Sequence, residues 1–242
     1  MMKKWDELPK WMQCPEVRAY YDILQKRKLS LVLKRLFDLL AGVCMLFVMT
    51  IPMVIIAVLI KMDSPGAVFY RQERVTAYGK RFSIHKFRTM VSNADQIGSA
   101  LTIGGDSRIT RVGKVLRELR LDELPQIFDV LSGNMSFVGT RPEVPEYVEK
   151  YTKEMYATLL LPAGITSEAS IRYKNESCLL NAAEDVDKVY IEDILPEKMK
   201  YNLWAIKHFS FCGEIMTMIR TVLVVLGRDF PEDVSMGREV SK

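Results

Sequence analysis

The chain has 242 residues, 49% hydrophobic and 26% charged, which suits one folded domain with a membrane appendage and excludes a disordered or low-complexity chain. The net charge of +4 hides an asymmetry, because residues 61–120 hold 12 Lys/Arg against 5 Asp/Glu while residues 121–200 hold 8 against 15. No basic helix, aromatic-rich strand motif or metal finger accompanies the basic block, which argues against nucleic acid and for anionic lipid headgroups or a phosphorylated substrate.

Residues 1–33 read as an amphipathic lead-in, with Trp5, Trp11, Tyr20 and Tyr21 among charges, suited to a membrane interface or to simple packing. Residues 34–61 hold the dominant feature, a 22-residue run from Leu39 to Ile60 without a charge. A straight helix over it would rise about 33 Å, enough to cross a bilayer core. Lys26, Arg27, Lys28, Lys34 and Arg35 precede the run, and Lys61, Arg71, Arg74, Lys80 and Arg81 follow it. A single span would put one basic flank on the wrong side. Pro52 lacks a backbone donor and its ring crowds the carbonyl of Val48, so the pattern predicts a helix broken at Pro52 that re-enters the face it left.

Residues 62–196 read as the main folded domain. Val68–Val75 and Arg81–Met90 are rich in β-branched and aromatic residues and predict a hairpin turning near Gly79. Apolar Val112, Val115, Leu116 and Leu119 predict a helix over Arg111–Leu121. A second helix is expected from an Asp122 N-cap, through Pro125 and Ile127–Leu131, to Gly133. A third is expected over Glu143–Leu161, and a long amphipathic one over Glu197–Leu226 within a C-terminal segment, residues 197–242. The fold class is therefore mostly α with a small β-hairpin (α+β), with a re-entrant membrane helix and a folded domain on the membrane surface.

Arg117-Glu-Leu-Arg-Leu-Asp-Glu-Leu-Pro-Gln126 is the stretch best suited to chemistry, with adjacent Asp122 and Glu123 at a helix start after two arginines. A helix start favours anions, and arginine binds phosphate through paired donors. Two carboxylates suit Mg²⁺, which is commonly held by one or two acids and substrate phosphates. By spacing alone, the plainer reading is favoured over a site: Asp122 as an N-cap and Glu123 as a first-turn acid. Cys14, Cys44, Cys178 and Cys212 form neither a zinc motif nor a disulfide framework, which fits a reducing cytoplasm. His85 and His208 are too few for a histidine-rich metal site.

The order of motifs resembles the bacterial sugar transferases, the monotopic phosphoglycosyl transferases that load lipid carriers. It runs through Lys34-Arg-Leu-Phe-Asp38, the broken helix, Ile60-Lys-Met-Asp-Ser-Pro-Gly-Ala-Val-Phe-Tyr70, Lys86-Phe-Arg-Thr-Met90 and Asp106-Ser-Arg-Ile-Thr-Arg-Val-Gly113. Leu121-Asp-Glu-Leu-Pro-Gln126, Gly133-Asn-Met-Ser-Phe-Val-Gly-Thr-Arg-Pro142 and Pro162-Ala-Gly-Ile-Thr166 complete it. The resemblance implies transfer of a sugar 1-phosphate from a UDP-sugar to undecaprenyl phosphate, with UMP released, at the cytoplasmic face of the bacterial inner membrane. It implies Asp122 as the nucleophile that carries a covalent phosphosugar, Glu123 assisting at a Mg²⁺ ion bound by both acids or at a proton, and substrate contacts from Arg117, Arg141, Pro142, Lys86 and Arg88. Implied partners are the UDP-sugar, undecaprenyl phosphate, membrane lipids and, as an open option, a second copy in a homodimer.

Three departures from the family pattern stand out. Thr50-Ile51-Pro52 replaces Ser-Pro, Thr140-Arg141-Pro142 replaces Pro-Arg-Pro, and Pro162-Ala-Gly164 carries an inserted alanine. Two rival readings remain at this stage: an inactive membrane-anchored assembly partner, and a regulator tethered by one true span.

Overall fold

In the computed structural model, which describes residues 2–92, 94, 106–174, 176, 180 and 185–228, the uncharged run and its flanks form one 36-residue helix, α2 (Lys28–Asp63). The break expected at Pro52 is not seen: the helix runs through it, the missing donor costing one hydrogen bond and not the helix. The Thr50 hydroxyl donates to the carbonyl of Leu46 at 2.6 Å, so it serves the turn below and not the Val48 carbonyl that Pro52 leaves without its donor. Only 11% of the most apolar 18-residue window is buried, which separates α2 from the core helix of a soluble protein. Phe47 is 86% and Ile51 72% exposed.

Both arms of α2 dock on the same body. On the N-terminal arm, Lys34 donates to Val138 O at 2.6 Å and pairs with Glu214, while Arg35 donates to the carbonyls of Val130 and Leu131. Asp38 accepts from Ser136 Oγ at 2.8 Å and from the Phe137 amide at 3.2 Å. On the other arm, Met53, Ile56 and Ile60 pack with Phe87 and Leu116, and Asp63 accepts from the Val112 amide at 3.0 Å.

The lead-in is not spread on a surface. After two 3₁₀ turns, helix α1 (Pro15–Gln25) buries Val17, Tyr20, Tyr21 and Leu24 in the largest core cluster. Trp11 is partly exposed and meets Tyr156 edge-on at 4.7 Å. Packing, not an interfacial aromatic belt, accounts for these side chains.

Strands β1 (Phe69–Val75) and β2 (Arg81–Phe87) form the expected antiparallel hairpin, with Tyr70 opposite Lys86 and Arg74 opposite Phe82. Helix α3 (Arg111–Glu118) is capped by Thr110 and lies against the end of α2. Gly113 allows this: a Cβ there would stand 2.0 Å from the Thr89 carbonyl oxygen, backbone against backbone. Gly113→Ala should therefore cost about 3 kcal/mol or more, read as a fall in melting temperature or a failure to fold.

Beyond the site segment come α4 (Ile127–Leu131) and β3 (Met135–Val138), whose parallel partner is β4 (Ala163–Thr166). The helix expected over Glu143–Leu161 is instead a short α5 (Pro145–Val148) and a 3₁₀ turn, Met155–Leu160. Pro145 at the start of α5 fixes where that helix can begin, and its few residues cannot sustain a longer run. After α6 (Glu168–Arg172) and α7 (Val186–Val189), the expected single C-terminal helix is two, α8 (Leu195–Lys207) and α9 (Phe211–Val225). Ser210 caps α9 by accepting from Gly213 N, which starts a new helix rather than prolonging the old one. Cys178 and residues 229–242 of the expected C-terminal tail lie outside the described residues.

Helix α9 has an inverted pattern. Its polar residues face the protein: Thr217 donates to the buried Glu168 at 2.6 Å, and the Thr221 hydroxyl meets that of Thr166 at 2.7 Å. Its outward residues are apolar: Met216, Ile219, Val222 and Val225. A helix bathed in water shows the opposite arrangement. Together with the exposed middle of α2, this surface belongs to a membrane-associated protein.

Candidate active site

Asp122 does not cap a helix. The N-cap position belongs to Arg120, in the left-handed region at φ 57°, ψ 21°, and Asp122 and Glu123 lie in the first turn of a 3₁₀ segment, Leu121–Gln126. Pro125 has no N–H and disfavours α geometry in the residue before it, which keeps this segment from joining α4 as one helix. Leu121 and Leu124 pack on the cluster of α2, Phe87 and Leu116, and Pro125 and Gln126 are buried. The acid pair therefore rides on a wedge held by the apolar helix. The left-handed Arg120 turns the chain into it at a cost of about 1 kcal/mol, the kind of strain that collects at functional sites.

Glu123 is clamped. Arg141 Nη2 reaches its Oε1 at 2.6 Å, and Lys86 Nζ reaches the same oxygen at 3.1 Å. Arg141 Nη1 lies 3.5 Å from Oε2. Burial opposes ionisation of Glu123, but Arg141 and Lys86 outweigh it and hold the carboxyl well below the usual carboxylate range. Asp122 is shifted the other way: burial and then the Glu123 charge raise it, with Lys86, Arg117 and Arg141 opposing. Adjacent carboxylates with separated titrations commonly have separate tasks. Lys86 is itself lowered by burial, partly offset by Glu123, and Arg141 is raised by Glu123 against burial. Arg117 is half-buried on α3, within electrostatic reach of Asp122 and Asp106.

Three of the five expected substrate contacts therefore stand at the acids: Lys86, Arg117 and Arg141. Arg88 does not. Its guanidinium is buried and donates to the carbonyls of Pro65 and Ser64 at 2.8 and 2.7 Å, closing the C-terminal end of α2. Alternation along β2 would have put Arg88 on the face of Lys86, but the strand ends at Phe87 and the alternation does not reach it. Pro142 is buried, and its carbonyl accepts from Arg74 at 3.1 Å.

Sequence reasoning also missed a layer behind Arg141. Tyr190 donates to the buried Glu143 at 2.7 Å, and Lys198 bonds Tyr190 at 3.1 Å and Glu176 at 2.9 Å. Arg74 could have been found from its place on β1, two residues past Gln72 on the face that carries Lys86. Lys198 sits in an ordinary helical stretch and left no signal.

No group of three His, Cys, Asp or Glu able to hold a metal occurs among the described residues. Asp122, with Glu123 beside it and substrate phosphate oxygens, is the donor set the site would offer an Mg²⁺ ion, and of the two acids Glu123 is already engaged by Lys86 and Arg141.

Comparison with known proteins identifies the motif order. The family model described as bacterial sugar transferase matches residues 29–228. The chain is 37% identical over 198 residues to the UDP-N-acetylgalactosamine-undecaprenyl-phosphate N-acetylgalactosaminephosphotransferase of Aeromonas hydrophila, covering 80% of this chain and 44% of that one. It is 31% identical over 221 residues to the undecaprenyl-phosphate galactose phosphotransferase of Salmonella typhimurium, covering 85% of this chain and 43% of the relative. It is 31% identical over 196 residues to EpsL of Bacillus subtilis, an uncharacterized sugar transferase, covering 81% of this chain and 88% of the relative. The chain thus spans less than half of the first and second of these proteins and most of the third. On a match covering most of its length and including the acid pair, the chain belongs to the bacterial sugar transferase family.

Proposed function

We propose that the protein transfers a sugar 1-phosphate from a UDP-sugar to undecaprenyl phosphate, releasing UMP, as the first membrane step of bacterial glycoconjugate assembly. The observation that carries this reading is the partly buried acid pair. One carboxylate is neutralised by Lys86 and Arg141, while the other, beside Arg117, sits on a segment wedged against an exposed apolar helix. An enzyme that joins a water-soluble nucleotide to a lipid needs a charged, sheltered site directly beside apolar surface.

In the first step, an oxygen of ionised Asp122 attacks the phosphorus nearer the sugar. The bond from that phosphorus to the bridging oxygen breaks, and UMP leaves with the bridging oxygen. Arg117 stabilises the charge that accumulates on the transferred group. In the second step, a phosphate oxygen of the lipid attacks the same phosphorus. The bond to Asp122 breaks and the carboxylate is restored. Glu123 needs no change of protonation in this scheme: it stays ionised and holds Lys86 and Arg141 in place at the phosphates. Asp122 and the substrate's phosphate oxygens would hold an Mg²⁺ ion, which would supply neutralisation of phosphate charge.

We place the catalytic domain at the cytoplasmic face and read α2 as re-entrant. Asp38 and Asp63 lie 25 residues apart along α2, about 37 Å on a straight helix, and both bond the same domain. A helix crossing a core of about 30 Å would send those two residues to opposite sides, which one folded domain cannot follow. The basic flanks on both sides support the same reading. Cysteine labelling from outside intact cells should miss both residue 10 and residue 80. Labelling of residue 10 alone would establish a span. Pro52→Ala should move part of the population toward a span, held back by the basic flanks.

The named relatives carry different sugars, N-acetylgalactosamine and galactose, so the motifs do not specify the donor. The direct assay is UMP release from a panel of UDP-sugars with undecaprenyl phosphate and Mg²⁺. Release with one or a few donors is expected. No release with any donor would favour an inactive assembly partner.

A further inference from the structure

Helix α3 joins the membrane helix to the acid pair. Its first turn, capped by Thr110, which accepts from Gly113 N at 3.0 Å, is fixed to the end of α2 by the Val112 amide, which donates to Asp63 at 3.0 Å. Its last turn holds Arg117, whose carbonyl accepts from the Arg120 amide at 3.2 Å just before the acid turn. The inward side is conventional, with Leu116 buried against Ile56, Ile60 and Phe87.

The outward side is not. Val115 and Leu119, one turn apart, are 52% and 54% exposed, with the exposed cations Arg111 and Lys114 on the same helix. On the last turns of α2, against which α3 packs, Leu59 and Met62 are exposed as well. Apolar surface thus continues from the membrane helix along α3 to within three residues of Asp122. The positive charge along it suits an anionic head.

We infer that Val115 and Leu119 form the bed for the phosphate-proximal isoprene units of the acceptor lipid, guiding its phosphate to Asp122. The inference rests on the function proposed above. Eight helical residues rise about 12 Å, so the bed takes only the first few units and the rest of the tail stays with the bilayer. The occupant is a single prenyl chain because the exposed apolar pair is narrow, flanked by the charged Arg111, Lys114 and Glu118, and lies between the membrane-facing helix on which α3 packs and the acid turn.

The test uses the full chain in lipid nanodiscs, with a donor that supports turnover, and compares wild type with Val115→Asn/Leu119→Asn. KM for undecaprenyl phosphate should rise about tenfold, the factor one partly buried aliphatic side chain supplies, while KM for the UDP-sugar stays unchanged. Sedimentation with anionic vesicles should not change. The conservative Leu119→Met should keep the wild-type KM for the lipid, and matching melting curves would show that the double variant folds. An unchanged KM for the lipid would overturn the inference. So would parallel loss of vesicle binding, which would make the stripe a bilayer contact, or loss of a dimer in light scattering, which would make it a contact between copies. No UMP from wild-type protein with any donor would instead sink the functional reading beneath it.

Discussion

Asp122→Asn should abolish turnover, by about 10⁴-fold or more, and at the same time raise the melting temperature. The first effect follows from removing the acid that, among the described residues of the site, no short ion pair ties to a cation, since the amide cannot form the acyl phosphate. The second follows from linkage. Burial and Glu123 raise the Asp122 pKa above its ordinary value of 3.8, so its ionised form destabilises the folded state. Asn removes that cost. The gain should be absent well below pH 3.8, where the carboxyl is protonated in both states, should grow as pH rises from 3.8 toward the raised folded value, and should be complete above it. Thermal melts in EDTA across that range check the sign. Equal melting temperatures at neutral pH would mean that Asp122 is not strained by its surroundings, and a lower one would mean that it holds the turn together.

Arg141→Met should cost both stability and activity. It leaves Glu123 buried, with Lys86 as its only short ion pair, and breaking a buried ion pair on one side costs roughly 3 kcal/mol. Glu123 is a depressed acid, so its contribution to stability is present above its unfolded value of 4.5 and is lost as pH falls through the folded one. The variant should lack most of that stability, and its unfolding free energy at neutral pH should fall toward that of the wild-type protein in acid. Turnover should drop about 10³-fold, because a phosphate-facing cation is removed and the charge opposing the raised pKa of Asp122 goes with it. Arg141→Lys should not rescue either property, since the two guanidinium contacts to Glu123 need a planar fork. Denaturant unfolding with UMP assays checks both arms. Near-wild-type stability in Arg141→Met would show that Lys86 alone satisfies Glu123.

How much of this was legible beforehand depended on the range of the interactions. The hairpin, α3 and the apolar helix rest on local pattern, and each emerged close to its expected limits. Glu143–Leu161 did not, because residues there pair in space with the lead-in and with α8, and those contacts override helical spacing. The parallel β3–β4 pair escaped for the same reason: each strand has four residues, and the partners lie 28 positions apart. At the site, Asp122, Glu123, Arg117, Arg141 and Lys86 were named from motifs, yet which acid is neutralised is a matter of distance that no motif states. Arg88 shows the converse. It lies in the same motif as Lys86, two residues on, but the hairpin has ended there and its guanidinium closes the end of α2.

Trapping the first step tests the central claim most directly. The protein is incubated with Mg²⁺ and a UDP-sugar that supports turnover, without lipid, then quenched and digested for mass spectrometry. One phosphosugar per protein should appear on the peptide containing Asp122, with an equal amount of UMP, and it should disappear when undecaprenyl phosphate is added. Asp122→Asn should give neither product. UMP formed only when lipid is present, with no adduct on any peptide, would contradict the covalent route and leave Asp122 a charged participant in direct transfer.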